Sequence, residues 1–173
     1  MTTTTEVDAR TTPRRRPRRG LVLLVAVGLL IAALTLVAEP VRVASGSMSP
    51  TYQAGDEVLV DKATHRSDHP QRDDVIVFTS PGSGELMIKR VAALAGDRVG
   101  LADGVLVVNG ERVRESYVDY GSVDGVYFGP VRVPAGHVFV LGDDRANSVD
   151  SRTFGALPAS AIVGRVVLRL WPR

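Results

Sequence analysis

The stretch Val105-Leu106-Val107-Val108-Asn109-Gly110-Glu111-Arg112-Val113 decides the fold. Four apolar, mostly β-branched residues run into Asn-Gly, and a second short run follows. Asn and Gly tolerate positive φ at the two centre positions of a tight turn whose twist suits antiparallel strands. The stretch therefore predicts a β-hairpin. The same pattern extends in both directions. Short apolar runs at Val58–Val60, Val75–Phe78, Leu86–Ile88, Val138–Leu141 and Ile162–Leu168 read as strands. Gly55-Asp56, Pro81-Gly82, Gly96-Asp97 and Gly142-Asp143 punctuate them. No helical period of useful length follows Ala38, and no internal repeat is visible. Residues 40–173 are expected to form a mainly β, antiparallel domain built from hairpins.

What precedes that domain is different in kind. Leu21 to Ala38 reads LVLLVAVGLLIAALTLVA, eighteen residues without a charge. As a helix this run spans about 27 Å, close to the roughly 30 Å hydrocarbon core of a bilayer. One transmembrane helix is expected at 21–39, closed by Glu39-Pro40. A cleaved leader would carry a shorter apolar region, and Leu36-Val37-Ala38 puts leucine where a small residue is wanted. A buried soluble helix would show a polar stripe, and this run has none.

Charge gives the orientation. Six of the 21 basic residues lie in residues 1–20 (Arg10, Arg14, Arg15, Arg16, Arg18 and Arg19), beside only Glu6 and Asp8. Arginine-rich flanks stay cytoplasmic, so 1–20 reads as a basic cytoplasmic tail, and its threonine-rich first 13 residues as disordered. The domain from residue 40 is then extracytoplasmic, on a single-pass cell-membrane protein in contact with lipid. The rest of the chain holds fifteen basic and seventeen acidic residues, so the net charge of +2 does not describe a nucleic-acid surface, and no nucleic-acid partner is expected.

The absence of cysteine excludes disulfides, thiolate metal sites and a cysteine nucleophile. His65 and His69 lie four apart, but Pro70 and the polar run from Thr64 to Asp74 argue for a surface loop rather than a metal-binding helix. The carboxylates of residues 142–152 do not follow an EF-hand spacing. No metal and no cofactor is expected.

Three segments have the residues for chemistry. Ser45-Gly46-Ser47-Met48-Ser49-Pro50-Thr51 is a polar turn just after the apolar run. A serine there needs a base to attack anything at neutral pH. His137, at the start of a strand, is one candidate, although a structural role suits it better. Lysine is another, provided burial holds its amine neutral. Lys62 lies in a polar stretch. Lys89 lies between Leu86-Met87-Ile88 and Val91-Ala92-Ala93, and reads equally as a buried lysine or a solvated one on an edge strand. Finally, Gly142-Asp143-Asp144-Arg145-Ala146-Asn147-Ser148-Val149-Asp150-Ser151-Arg152 is a dense polar loop directly after a strand, where sites tend to sit.

Taken together, these segments resemble the bacterial type I signal peptidases. The blocks SGSMSPT (45–51), GDEVLVDK (55–62), RDDVIVF (72–78), MIKRVAALAGD (87–97) and GDDRANSVDSR (142–152) occur in that family's order behind an anchor. The resemblance implies a membrane-bound serine endopeptidase that removes signal peptides from exported preproteins at Ala-x-Ala-like sites, near the secretion translocon. It implies a Ser/Lys dyad, with Ser47 as nucleophile and Lys89 as general base. Ser45 would lend a hydroxyl to the oxyanion hole, Ser148 would orient the lysine amine, and Asp150 would pair with Arg152. Val43, Met48, Tyr52 and Met87 would shape the first substrate pocket, and Val41, Val58, Val77 and Ile88 the third. The accessory region of larger members would shrink to a hairpin or two at about 98–136. Ala44, Ala95 and Asp144 depart from the family pattern, where proline, proline and asparagine are usual. Two other readings remain open: a single-pass surface β-domain that binds a partner, and a self-cleaving serine–lysine protein.

Overall fold

The computed structural model describes residues 20, 22–28, 37–63, 69–123 and 125–171. The chain divides into two compact units, Met1–Leu34 and Thr35–Arg173. In the first, residues 22–28 are helical and exposed. Residues 21 and 29–36 of the expected transmembrane span lie outside the described residues, as does His65. No helix among the described residues is long and apolar enough to cross a membrane.

The second unit is built from eleven described strands: β1 (Ala38–Arg42), β2 (Glu57–Asp61), β3 (Val75–Thr79), β4 (Leu86–Ala93), β5 (Arg98–Ala102), β6 (Val105–Val108), β7 (Glu111–Arg112), β8 (Phe128–Arg132), β9 (His137–Leu141), β10 (Leu157–Pro158) and β11 (Ile162–Trp171). Every pairing is antiparallel. One sheet runs β1-β2-β11-β3-β4-β9-β10, the other β7-β6-β5-β8. The mainly β, antiparallel expectation holds, and each predicted run lies in a strand. One boundary moves. The expected helix reached residue 39, but Ala38 and Glu39 belong to β1, paired with Asp61 and Val60. That ladder supplies the backbone hydrogen bonds that would otherwise have continued a helix.

The hairpin at 105–113 forms as β6–β7, with Asn109 at φ 56° and Gly110 at φ 89°. Both values are those the two-residue turn requires.

Near β3 the first sheet is covered on both faces. Val75 and Val77 pack with Val43, Met48, Val58, Val60 and Ile88 on one side. Ile76 and Phe78 pack with Val91, Val138, Val140 and Leu157 on the other. This is why the segment reads as an unbroken apolar run rather than an alternating one. A third cluster joins the two sheets: Val99, Leu101, Leu106 and Val108 of the second meet Ala92, Ala93, Phe139 and Leu141 of the first. Each such side chain contributes about 1.5–3 kcal/mol on burial. Two of the strands so fixed, β4 and β9, carry or lead into the polar residues described next.

Candidate active site

Pairing between the residues after β1 and those before β2 (Val43 N–H to Asp56 O at 2.8 Å, Gly55 N–H to Val43 O at 2.8 Å) holds the chain until it turns at Ser45. The turn is closed by Ser49 N–H to Gly46 O (2.9 Å) and Tyr52 N–H to Met48 O (2.8 Å). Met48, fully buried, anchors it. Ser47 is thereby held at the edge of the core, only 7% exposed.

Lys89 resolves the ambiguity left by its sequence. It pairs with Ile76 of β3, one residue before β9 joins β4 at Arg90, and is only 2% exposed. Its Nζ lies 2.7 Å from Ser47 Oγ and donates to Ile88 O at 2.9 Å. Ser45 Oγ donates to Ser47 Oγ at 3.2 Å. Burial penalises the ammonium and pushes the Lys89 pKa down from 10.5 to about 8; the Asp150 and Asp143 carboxylates pull the other way. At pH 7 roughly one amine in ten is then neutral, against about one in three thousand for an ordinary lysine. Ser47 and Lys89 have the separation and the protonation balance for a nucleophile and its base.

The two carboxylates that oppose this are both paired. Asp143 receives Arg90 through Nε (2.9 Å) and Nη2 (2.7 Å), and Thr51 Oγ1 at 2.5 Å. Asp150 receives Arg152 through Nε and Nη2, both at 2.8 Å, and the Gly142 N–H at 3.0 Å. It also caps the helical turn Ser151–Phe154. The loop is stitched to the serine turn by Asp144 N–H to Ser47 O (3.1 Å). Gly142 permits this closeness: a Cβ there would lie 2.5 Å from both Ser47 O and Ser148 Cβ.

The expected partner of Ser148 is not the one observed. Lys89 Nζ is occupied by Ser47 and Ile88 O, while Ser148 Oγ is buried without a hydrogen-bond partner. His137 is remote in role as well: its Nδ1–H donates to Ala135 O at 2.8 Å.

An apolar groove of about 380 Å³ adjoins the pair, and Val41, Val43, Val77, Met87 and Ile88 are among the residues that line it. Met48 and Val58 are fully buried in the core, and Tyr52 packs half-buried against that core. Arg42, Glu85 and Leu86 also line the groove, which the sequence reading did not foresee. A second cleft of about 350 Å³ is lined by Ser47 itself.

Arg145 of the same loop is held by three partners. It is 1% exposed, and its Nη2 meets Glu115 Oε1 at 2.6 Å, with Gly142 O and Gly104 O on its other nitrogens. Tyr117 links this pair to Asp73 and lies under Arg90, 3.8 Å from the guanidinium carbon to the ring centre.

Residues 17–171 match the family described as signal peptidase, peptidase S26. The chain belongs to this family. Signal peptidase I of Leptolyngbya laminosa is 37% identical over 161 residues, covering 88% of this chain and 76% of that protein. Signal peptidase I of Mycobacterium tuberculosis H37Rv is 32% identical over 206 residues, covering 86% and 70%. Thylakoidal processing peptidase 1 of Arabidopsis thaliana is 37% identical over 160 residues, with 85% of this chain and 46% of that one covered. The crystal structure of a signal peptidase I from Enterococcus faecalis V583 superposes with a TM-score of 0.52 at 33% identity, covering 58% of this chain and 98% of that one. As a signal peptidase I the chain is a serine endopeptidase that removes signal peptides, and its substrates are preproteins carrying them. The partner-binding and self-cleaving readings give way to this one.

Proposed function

We propose that this signal peptidase cleaves after Ala-x-Ala-like sequences with Ser47 as nucleophile and Lys89 as general base. The observation that carries this is the 2.7 Å contact between Ser47 Oγ and a lysine amine that is buried and has its pKa lowered. Neutral Lys89 takes the Ser47 hydroxyl proton as Oγ attacks the scissile carbonyl. The Ser45 hydroxyl, already at Ser47 Oγ, and the Ser47 N–H meet the oxyanion; losing one such donor typically costs roughly 2.7–4 kcal/mol. Lys89 then hands its proton to the leaving amine, the C–N bond breaks, and water hydrolyses the acyl-enzyme.

Backbone geometry supports an extended substrate in the groove. Among the described residues β1 pairs with β2 alone, and Leu86–Lys89 pairs with β3 alone, because the β9 ladder begins at Arg90. Two strand segments with an unpaired edge thus border one groove, an arrangement suited to strand addition. Val43, Met87 and Ile88 give the groove apolar walls, which suit side chains such as alanine's methyl.

The uncharged run from Leu21 would hold the enzyme in the membrane, arginines inside and catalytic unit outside, near the translocon and its emerging substrates. The decisive experiment is cleavage of a preprotein by the full chain in detergent. Ser47→Ala and Lys89→Ala should each abolish it; undiminished cleavage by either variant removes the dyad.

A further inference from the structure

Two clefts meet at the dyad. The apolar groove and the second cleft share Ser45, Met87 and Lys89, but only the second is lined by Ser47 and by the loop after β9. A peptide that lies along the apolar groove up to the cut and places its scissile carbonyl at Ser47 Oγ has reached the second cleft. The linings differ in chemistry. Beyond the shared residues, the second cleft is bounded by Gly46, Asp144, Asn147 and Val149, the last of these 58% exposed.

Asp144 distinguishes this cleft. Its N–H to Ser47 O bond fixes where its side chain sits relative to the nucleophile. Its carboxylate accepts from Asn147 N–H at 3.0 Å and from Asn147 Nδ2 at 3.2 and 3.3 Å. The loop's other carboxylates, Asp143 and Asp150, are occupied by Arg90 and Arg152, but among the described residues Asp144 has no lysine or arginine partner. Half-buried beside a neutral amide, it leaves an uncompensated negative charge in the cleft. Asparagine, usual here in the resembled motif, would leave none.

We propose that the second cleft binds the first residues after the scissile bond, and that Asp144 makes it favour cationic and disfavour acidic side chains there. The inference rests on the Ser47–Lys89 reading above. A charge in a half-exposed cleft acts weakly, so the contrast between lysine and glutamate substrates is expected to be about threefold to tenfold, and to shrink with added salt.

The test uses the full chain in detergent with peptides that share one Ala-x-Ala sequence and carry Lys, Gln or Glu at the first or second position after the cut. The expected order of kcat/KM is Lys above Gln above Glu. Asp144→Asn should bring the Lys-to-Glu ratio towards one, Asp144→Lys should invert it, and Asp144→Glu should keep it. Equal rates in the unsubstituted enzyme, or a ratio that Asp144→Asn and Asp144→Lys leave unmoved, overturn the inference while leaving the dyad standing. Failure to cleave any of the peptides, or cleavage by Ser47→Ala, overturns the dyad reading, and the inference falls with it.

Discussion

Arg152 grips Asp150 with two parallel hydrogen bonds, Nε to Oδ1 and Nη2 to Oδ2, each 2.8 Å long. The Asp150 side chain is completely buried, and its charge is one of two that favour the ammonium form of Lys89. The pairing therefore does more than brace the loop. It quiets a negative charge close to a base that works only when neutral.

Arg152→Gln should expose that relationship in the pH profile. With the native enzyme, kcat/KM is expected to rise with pH along a limb centred near 8, the Lys89 value. Removing the guanidinium leaves Asp150 unopposed, which favours protonated Lys89 and moves the limb to higher pH by about one pH unit. Arg152→Lys should return it part of the way. A limb that stays in place in Arg152→Gln would show that Asp150 does not act on Lys89.

Lys89→Met gives the stability counterpart. Folding lowers the Lys89 pKa from 10.5 to about 8, so between those values the unfolded chain binds more protons and stability rises with pH. Below about pH 8 the lysine costs the fold about 3 kcal/mol. The methionine variant, inactive, should therefore melt at a higher temperature than the native protein at pH 6–7, with the advantage fading from pH 8 towards 10.5. Melting curves at several pH values check this; an advantage that grows with pH contradicts it.

Gly142→Ala tests the packing of the loop on the serine turn. The added methyl meets the Ser47 carbonyl and Ser148, and one of these contacts is backbone. Overpacking of this kind costs about 1–3 kcal/mol, and displacing Ser47 from Lys89 by even about 1 Å is expected to lower kcat by up to about a hundredfold. Calorimetry and kcat together read the effect; a variant normal in both would mean the loop has room to spare.

Much of this architecture was legible in the sequence, because strands and hairpins announce themselves locally. Asn109-Gly110 set a turn that the backbone adopts, and each predicted apolar run lies in a strand. Asp103-Gly104, positive in φ at both residues, carries the same signal between β5 and β6 and was overlooked. Lys89 was ambiguous for a physical reason: the pattern along one strand cannot say what packs over a side chain, and the Ser47 turn that meets its amine lies 42 residues earlier. Ser148 was assigned to the amine by resemblance, and a hydrogen bond of that kind depends on distances that no residue pattern carries; in the structure Ser148 Oγ has no partner. The start of β1 was hidden because Ala38 ends the uncharged run itself and only Glu39-Pro40 marks a break. The second cleft was invisible, since a cavity is a property of surfaces brought together and no residue pattern encodes it.

The buried meeting of Glu115 with Arg145 has a consequence for how such a chain can drift over evolutionary time. Glu115 follows the hairpin of the second sheet, and Arg145 holds the Gly142 carbonyl beside the dyad. Loops between β7 and β8 are free to lengthen, shorten or change composition wherever they face water. At one point they must still deliver a carboxylate, because a guanidinium sealed in that position without one would cost about 3–5 kcal/mol. The β7–β8 loop is thus pinned at one place: its water-facing surface is open to revision, and the carboxylate it sends to the catalytic loop is not.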